Sequence, residues 1–427
     1  MFRNNYLVAS ILAISWIVIS IAYFIFIFLP SDLNIFVNMI CFLVAVTAVT
    51  LLPARQFILK TYLVGFSVAT WLSTLQLSTF QRPLEPDFLL FFTLHLLVLG
   101  MVIATASLVK PRRRRHAEDK WHLANWAVYA FIAIAAYVAV NSGVRISDFM
   151  LGEKHSGDIY KIPGISGIQG ILSIFILCCF SKLSKFNKIF FIISVMIIAI
   201  LDVKRGEIIR IMTFIIFYLT IVRPEYINRI ATVAVAGIFI FVAFGEIRQG
   251  LYSEEFSISQ MLRSRGGIAA IDWIYGYFGI TVSVLQEYFD SNIEPAGYMR
   301  TLFALAYNLE MPEFDQISIL GFNAGTGFSV FAGQGLVLPN LDFLLFCGLM
   351  GTMIACALWL GTPSLVAFML VQVFGLVFGL QLILPYYLVG FFGAVAYQAL
   401  PTIVLGSRQA RHTGPPGVEW RASPGSA

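Results

Sequence analysis

Two short stretches hold most of the groups able to grip an anion. "DVKRGEIIR" (202–210) places Lys204, Arg205 and Arg210 between two apolar runs, in a chain that is 59% hydrophobic and only 12% charged. "GEIRQGLYSEEF" (245–256) follows another apolar run and carries Glu246, Arg248 and Tyr252. Arginine suits phosphate because its planar guanidinium donates two parallel hydrogen bonds. Beside hydrocarbon such a cation needs an anionic partner. Asp202 and Glu207 could supply one from within the stretch; the alternative is that Arg205 and Arg210 face a common cavity. The two are five residues apart, so they share a helix face only loosely. Gly206 lets a bulky anion approach the backbone.

The long segment 246–340 adds Arg263, Arg265 and Arg300. It has ten acidic residues and no Lys, which leans toward directed recognition rather than general basicity. Its aromatic residues Trp273, Tyr275, Tyr277, Tyr298 and Tyr307 suit a membrane-interface belt or stacking on sugar rings. Asn323 and Thr326 in "GFNAGTGF" could hydrogen-bond a sugar or a pyrophosphate. There is no P-loop pattern and no HExxH. The acidic pairs in "EPD" (85–87) and "PEFD" (312–315) are too few to define a metal site, so no metal and no cofactor is expected.

These residues must be positioned by helices. Apolar runs of roughly 20 residues recur along the chain, and alternation over strand lengths is absent. The pattern predicts an all-α, polytopic membrane protein of about 12 transmembrane helices, at most 14. The expected spans are 6–29, 33–52, 57–80, 88–109, 123–142, 165–181, 188–201, 207–222, 230–247, 341–360, 363–380 and 383–405. The first run lacks a small-residue cleavage site and is read as a retained helix. Residues 1–405 form a single transmembrane domain with an outer segment at 246–340, and 406–427 is read as a disordered tail. The 268–289 stretch is apolar enough to dip into or cross the bilayer, and a second dip near 298–309 would preserve the alternation. The five cysteines all fall in apolar runs and read as small core residues. His95 reads as a packed histidine.

Orientation follows from basic loops. "KPRRRRHAEDKWH" (110–122) is the most basic and is expected in the cytoplasm, with both termini, "SKLSKFNK" and "RPEYINR" on the same side. The 202–210 stretch then lands outside, against the charge rule, so something other than topology keeps its cations there. A net charge of +5 is ordinary for such loops and does not call for nucleic acid.

This arrangement resembles the oligosaccharide repeat-unit polymerases, the Wzy-type polymerases of O-antigen and capsule assembly, over most of 1–405 in layout. "KRGEIIR" between two spans, "EIRQG" at the mouth of the large outer segment, and "FNAGTGF" with "LPNLDFLLFCGLMG" closing it carry the likeness. Arg265 and Gly276 fit once an Arg-then-ten-then-Gly pattern of some members. The related ligases place a His in that segment; this chain has none there.

The resemblance implies a metal-independent, inverting glycosyltransferase of the C-type membrane superfamily. Such an enzyme moves the growing glycan from undecaprenyl pyrophosphate to the non-reducing end of a new lipid-linked repeat unit, as in lipopolysaccharide or exopolysaccharide synthesis. Its place is the bacterial inner membrane, with a periplasmic active site. Its partners are the lipid-linked oligosaccharide, membrane lipid, a chain-length regulator and a flippase. On this reading Arg205, Arg210 and Arg248 meet the charge of the leaving pyrophosphate, and the candidate bases are Glu246, Glu254, Glu207 and Asp202, among which the sequence does not choose. Lys204, Arg263, Arg265, Arg300, Tyr252, Asn323 and Thr326 bind substrate. The rival is a lipid-linked oligosaccharide flippase or transporter, which would spread charges along several spans with repeat symmetry.

Overall fold

The computed structural model describes residues 56–74, 83–111, 123–141, 165–201, 205–226, 281–290, 297–307, 340–376 and 385–412, with isolated positions elsewhere. Among these residues the chain is entirely helical. The helices are α1 (Phe57–Thr74), α2 (Pro86–Ala106), α3 (Leu123–Asn141), α4 (Ile165–Cys178), α5 (Lys185–Leu201) and α6 (Arg205–Val222). They continue with α7 (Thr281–Asp290), α8 (Tyr298–Tyr307), α9 (Leu341–Leu360), α10 (Pro363–Gly375) and α11 (Pro385–His412). The first expected span, most of the second and ninth, and the motifs at 245–256, 263–276 and 321–339 lie outside the described residues. One boundary departs from expectation, because α11 runs on into 406–412, the start of the expected tail. Ser, Arg, Gln and Ala there are compatible with helix, and no proline intervenes before Pro415.

Local chemistry sets several ends. Asn340 accepts from Asp342 N (3.1 Å) and caps α9. At its far end Gly361 takes a left-handed φ of 60° and donates to Ala357 O (2.8 Å), after which Thr362 and Pro363 open α10. Ser184 starts α5, its Oγ accepting from Asn187 N (3.2 Å).

Among the described residues two helices, α2 and α9, are long and apolar enough to cross a membrane. They pack on each other, with Gly351 against Val102. Elsewhere large apolar side chains stand exposed. On α5, Phe186, Ile189, Phe190, Ile193 and Ile197 recur at helical spacing along one uncovered face. Trp126, Tyr129, Tyr137 and Val140 do so on α3. Water does not tolerate faces of this extent, whereas hydrocarbon does.

The interior is organised around α10, whose residues from Ser364 to Val373 are nearly all buried. It is walled by α6, α1, α9 and α4. α11 lies along α4 at very short range through two glycines. A Cβ on Gly390 would stand 2.8 Å from the Ile171 carbonyl oxygen, and one on Gly170 would stand 2.8 Å from the Tyr386 ring.

The bundle has two chemically distinct ends. At one, the last carbonyls of α4 are satisfied from neighbouring helices: Cys178 O accepts from Ser364 Oγ (2.7 Å) and Gln398 Nε2 (3.1 Å). Asn125 Oδ1 accepts from Asn187 Nδ2 (2.7 Å) and Ser184 N (3.2 Å). Lys188 lies over Phe180 (5.5 Å) and Tyr218 (5.7 Å), and Lys182 over Tyr397 (5.4 Å). The other end gathers the starts of α6, α9 and α11 together with α7 and α8.

The shared carbonyl gives a test of the first end. Ser364→Ala or Gln398→Leu alone leaves Cys178 O one donor and should cost about 1 kcal/mol or less. Together they orphan a buried carbonyl, and the pair should cost about 1 kcal/mol beyond the sum of the singles. Unfolding of the detergent-solubilised variants reads the difference, and strict additivity would contradict the arrangement.

Candidate functional site

Arg210 sits in the second turn of α6, between Ile208 and Ile211, both buried. Those neighbours turn into the core, so Arg210 is held half-buried at the edge of the packed face. Its guanidinium carbon lies 5.0 Å from the centroid of the Tyr387 ring at the start of α11. Tyr387 is wholly buried, tilted against Tyr386 (5.0 Å) and Phe368 of α10 (6.3 Å). A cation over the face of an aromatic ring is attracted by the ring's quadrupole while its N–H donors stay in the guanidinium plane. This end of α6 is opposite to the one where Lys182 and Lys188 meet their aromatic rings.

Of the other candidates, Arg205 begins α6 by backbone, within the same first turns. Arg300 is exposed on α8, which packs against α9 and α11, so α11 adjoins the helices carrying both Arg210 and Arg300. Lys204, Glu246, Arg248, Tyr252, Arg263, Arg265, Asn323 and Thr326 lie outside the described residues.

Tyr298 is not the interfacial or sugar-stacking residue expected of it. It is 1% exposed, with its ring edge-on to Phe346 of α9 at 5.7 Å. Its backbone N donates to Asp342 Oδ2 at 2.7 Å, which caps α8 from α9. Burial, and then the Asp342 carboxylate nearby, push its hydroxyl well above the ordinary tyrosine pKa. Gly297, at φ 86°, makes the turn that brings α8 onto this carboxylate.

The α7 helix closes the same end over α1 and α2. Ser73 Oγ donates to Gly279 O, and the buried Gln286 accepts from Glu85 N (3.2 Å) while donating to Pro83 O (3.1 Å). Phe289 packs on Phe88 (6.0 Å) and Phe91 (4.7 Å). Ten residues of helix reach only about 15 Å, half the hydrocarbon thickness. The rest of the apolar 268–289 run lies outside the described residues. The acidic pair Glu85 and Asp87 serves the start of α2 around Pro86. Among the described residues no cluster of three or more His, Cys, Asp or Glu could hold a metal ion. His95 is packed as expected, Nδ1 against Phe91 O at 2.7 Å and its ring between Phe91 (4.2 Å) and Phe343 (4.8 Å). The cysteines are free, four buried and Cys356 half-buried.

The residue missed by sequence reasoning is Tyr387. The available signal was "PYY" (385–387), an aromatic pair at the expected outer start of the last span. No family model, curated protein or solved structure matches the chain.

Proposed function

We propose that the chain is a polymerase of lipid-linked oligosaccharide repeat units, spanning a bacterial inner membrane about 12 times with the Arg210 end toward the periplasm. One observation carries the reading: a half-buried arginine lies over the ring of a buried tyrosine at the end of the bundle opposite to Lys182 and Lys188. Basic side chains away from the cytoplasmic end have no topological reason to be there. A guanidinium set at a membrane boundary is suited to a diphosphate headgroup.

In this reading Arg210, with Arg205 and Arg248, meets the pyrophosphate of the lipid carrying the growing glycan. The acceptor hydroxyl, at the non-reducing end of a new repeat unit, attacks the anomeric carbon from the face opposite the pyrophosphate. Glu246 takes its proton. The glycosidic C–O bond to phosphate breaks, its electron pair leaves on undecaprenyl pyrophosphate, and configuration inverts. Donors already in place where that charge develops lower the barrier without reorganisation.

The test is the surface-glycan ladder of a host strain lacking the chain and complemented with Arg205→Ala, Arg210→Ala or Arg248→Ala, at equal membrane protein levels. A ladder collapsed to a single repeat unit on its acceptor is the expected result. Loss of all surface glycan, the single unit included, would indicate export and overturn the polymerase. An unchanged ladder would remove the arginines from the site.

A further inference from the structure

We propose that Tyr387 is a positioning residue, an aromatic shelf that fixes the plane of the Arg210 guanidinium so that its donors are aimed at the pyrophosphate. This inference rests on the reading of Arg210 as a pyrophosphate ligand. An arginine side chain is long and freely rotating, and a grip on a diphosphate depends on where its fork points. Here the guanidinium carbon lies over the Tyr387 ring, 5.0 Å from its centroid. The contact is made to the π-face of Tyr387.

The shelf is itself immobile. Tyr387 is fully buried, with the rings of Tyr386 (5.0 Å) and Phe368 (6.3 Å) beside it, and Phe368 stacks in turn on Phe391 at 5.9 Å. Tyr386 is confined because it occupies the space above Gly170, where a side chain would collide with its Cγ at 2.9 Å and Cδ2 at 2.8 Å. A chain of contacts thus runs from the α4 backbone through Tyr386 and Tyr387 to Arg210. Donors held in this way are oriented before the ligand arrives, so binding need not order them.

The experiment measures affinity of the purified full chain in detergent micelles for undecaprenyl pyrophosphate. Tyr387→Phe keeps the ring and should bind within about twofold of the unaltered protein. Tyr387→Leu, and Tyr387→Met as a second probe of similar reach, should each weaken binding about tenfold, the size of a desolvated cation–aromatic contact. In an Arg210→Ala background, which itself weakens binding, Tyr387→Leu should cause no further loss. A packing role would lower affinity by the same factor in both backgrounds, and that result would overturn the proposal. Equal losses for Phe and Leu at 387 would also overturn it, since the ring face would then be irrelevant. If Arg210→Ala weakens binding and neither Leu nor Met does, this inference alone falls. If Arg210→Ala leaves affinity unchanged, the reading of Arg210 falls with it.

Discussion

Gly390→Ala should lower the stability of the folded protein by about 1–3 kcal/mol, while Gly348→Ala should raise it by up to about 1 kcal/mol. Both glycines lie within helices, so alanine relieves the same backbone entropy at each. The sign is decided by what a methyl group would meet. At Gly348, on the exposed face of α9, there is nothing within 4 Å. At Gly390 the new atom would stand 2.8 Å from the Ile171 carbonyl oxygen and 2.8 Å from Ile174 Cβ. Backbone cannot rotate away, so α11 must separate from α4 along their whole contact. Gly390→Leu should exceed the alanine cost and leave little folded protein. Thermal unfolding in detergent micelles reads all three variants, and destabilisation of similar size at 348 and 390 would mean that the two helices do not pack this closely.

The second large effect is on chemistry. On the proposed function, Arg210→Ala should slow polymerisation of purified lipid-linked repeats about a hundredfold, equivalent to about 3 kcal/mol of lost transition-state stabilisation. The loss should fall mainly on kcat, because the leaving diphosphate gains charge only as the glycosidic bond breaks. Arg210→Lys should lie between, keeping the charge but losing the planar fork that lies over Tyr387. A lysine variant as slow as alanine would show that geometry, not charge alone, carries the effect. A lysine variant with full activity would argue that any cation at this level suffices and would weaken the case for directed recognition.

The helices were legible in the sequence because each apolar run had a physical end. Ser184 and "NKI" open α5, "GTP" (361–363) separates α9 from α10, and Pro385 starts α11. Helices, unlike the partners they meet, are written locally. Arg210 stood out by charge, yet its ring lies on a helix far along the chain, and nothing in a one-dimensional pattern pairs the two. Tyr298 misled for a related reason. An aromatic in a segment rich in charge reads as interfacial until the carboxylate of Asp342, 44 residues further along, turns it inward. The helix α7 lies inside a run apolar enough to suggest a crossing, much of which is outside the described residues. Its apolar residues serve contacts with α1 and α2, which composition does not distinguish from contact with lipid.

The burial of α10 carries a consequence for how the protein is made. Its neighbours α1, α4 and α6 leave the ribosome long before it, and α9 just ahead of it. At roughly 5–20 residues per second, α1 waits tens of seconds for the helix that fills its inner face. During that wait the vacant slot is left beside helices whose buried residues are mostly apolar, Phe66 and Ala69 on α1 and Ile211 on α6 among them. Acyl chains, or an insertase holding the nascent bundle, must occupy it. A late act of biogenesis is then an exchange, in which α10, a helix of 13 residues carrying the buried Gln372, takes the centre of the bundle before α11 closes along α4.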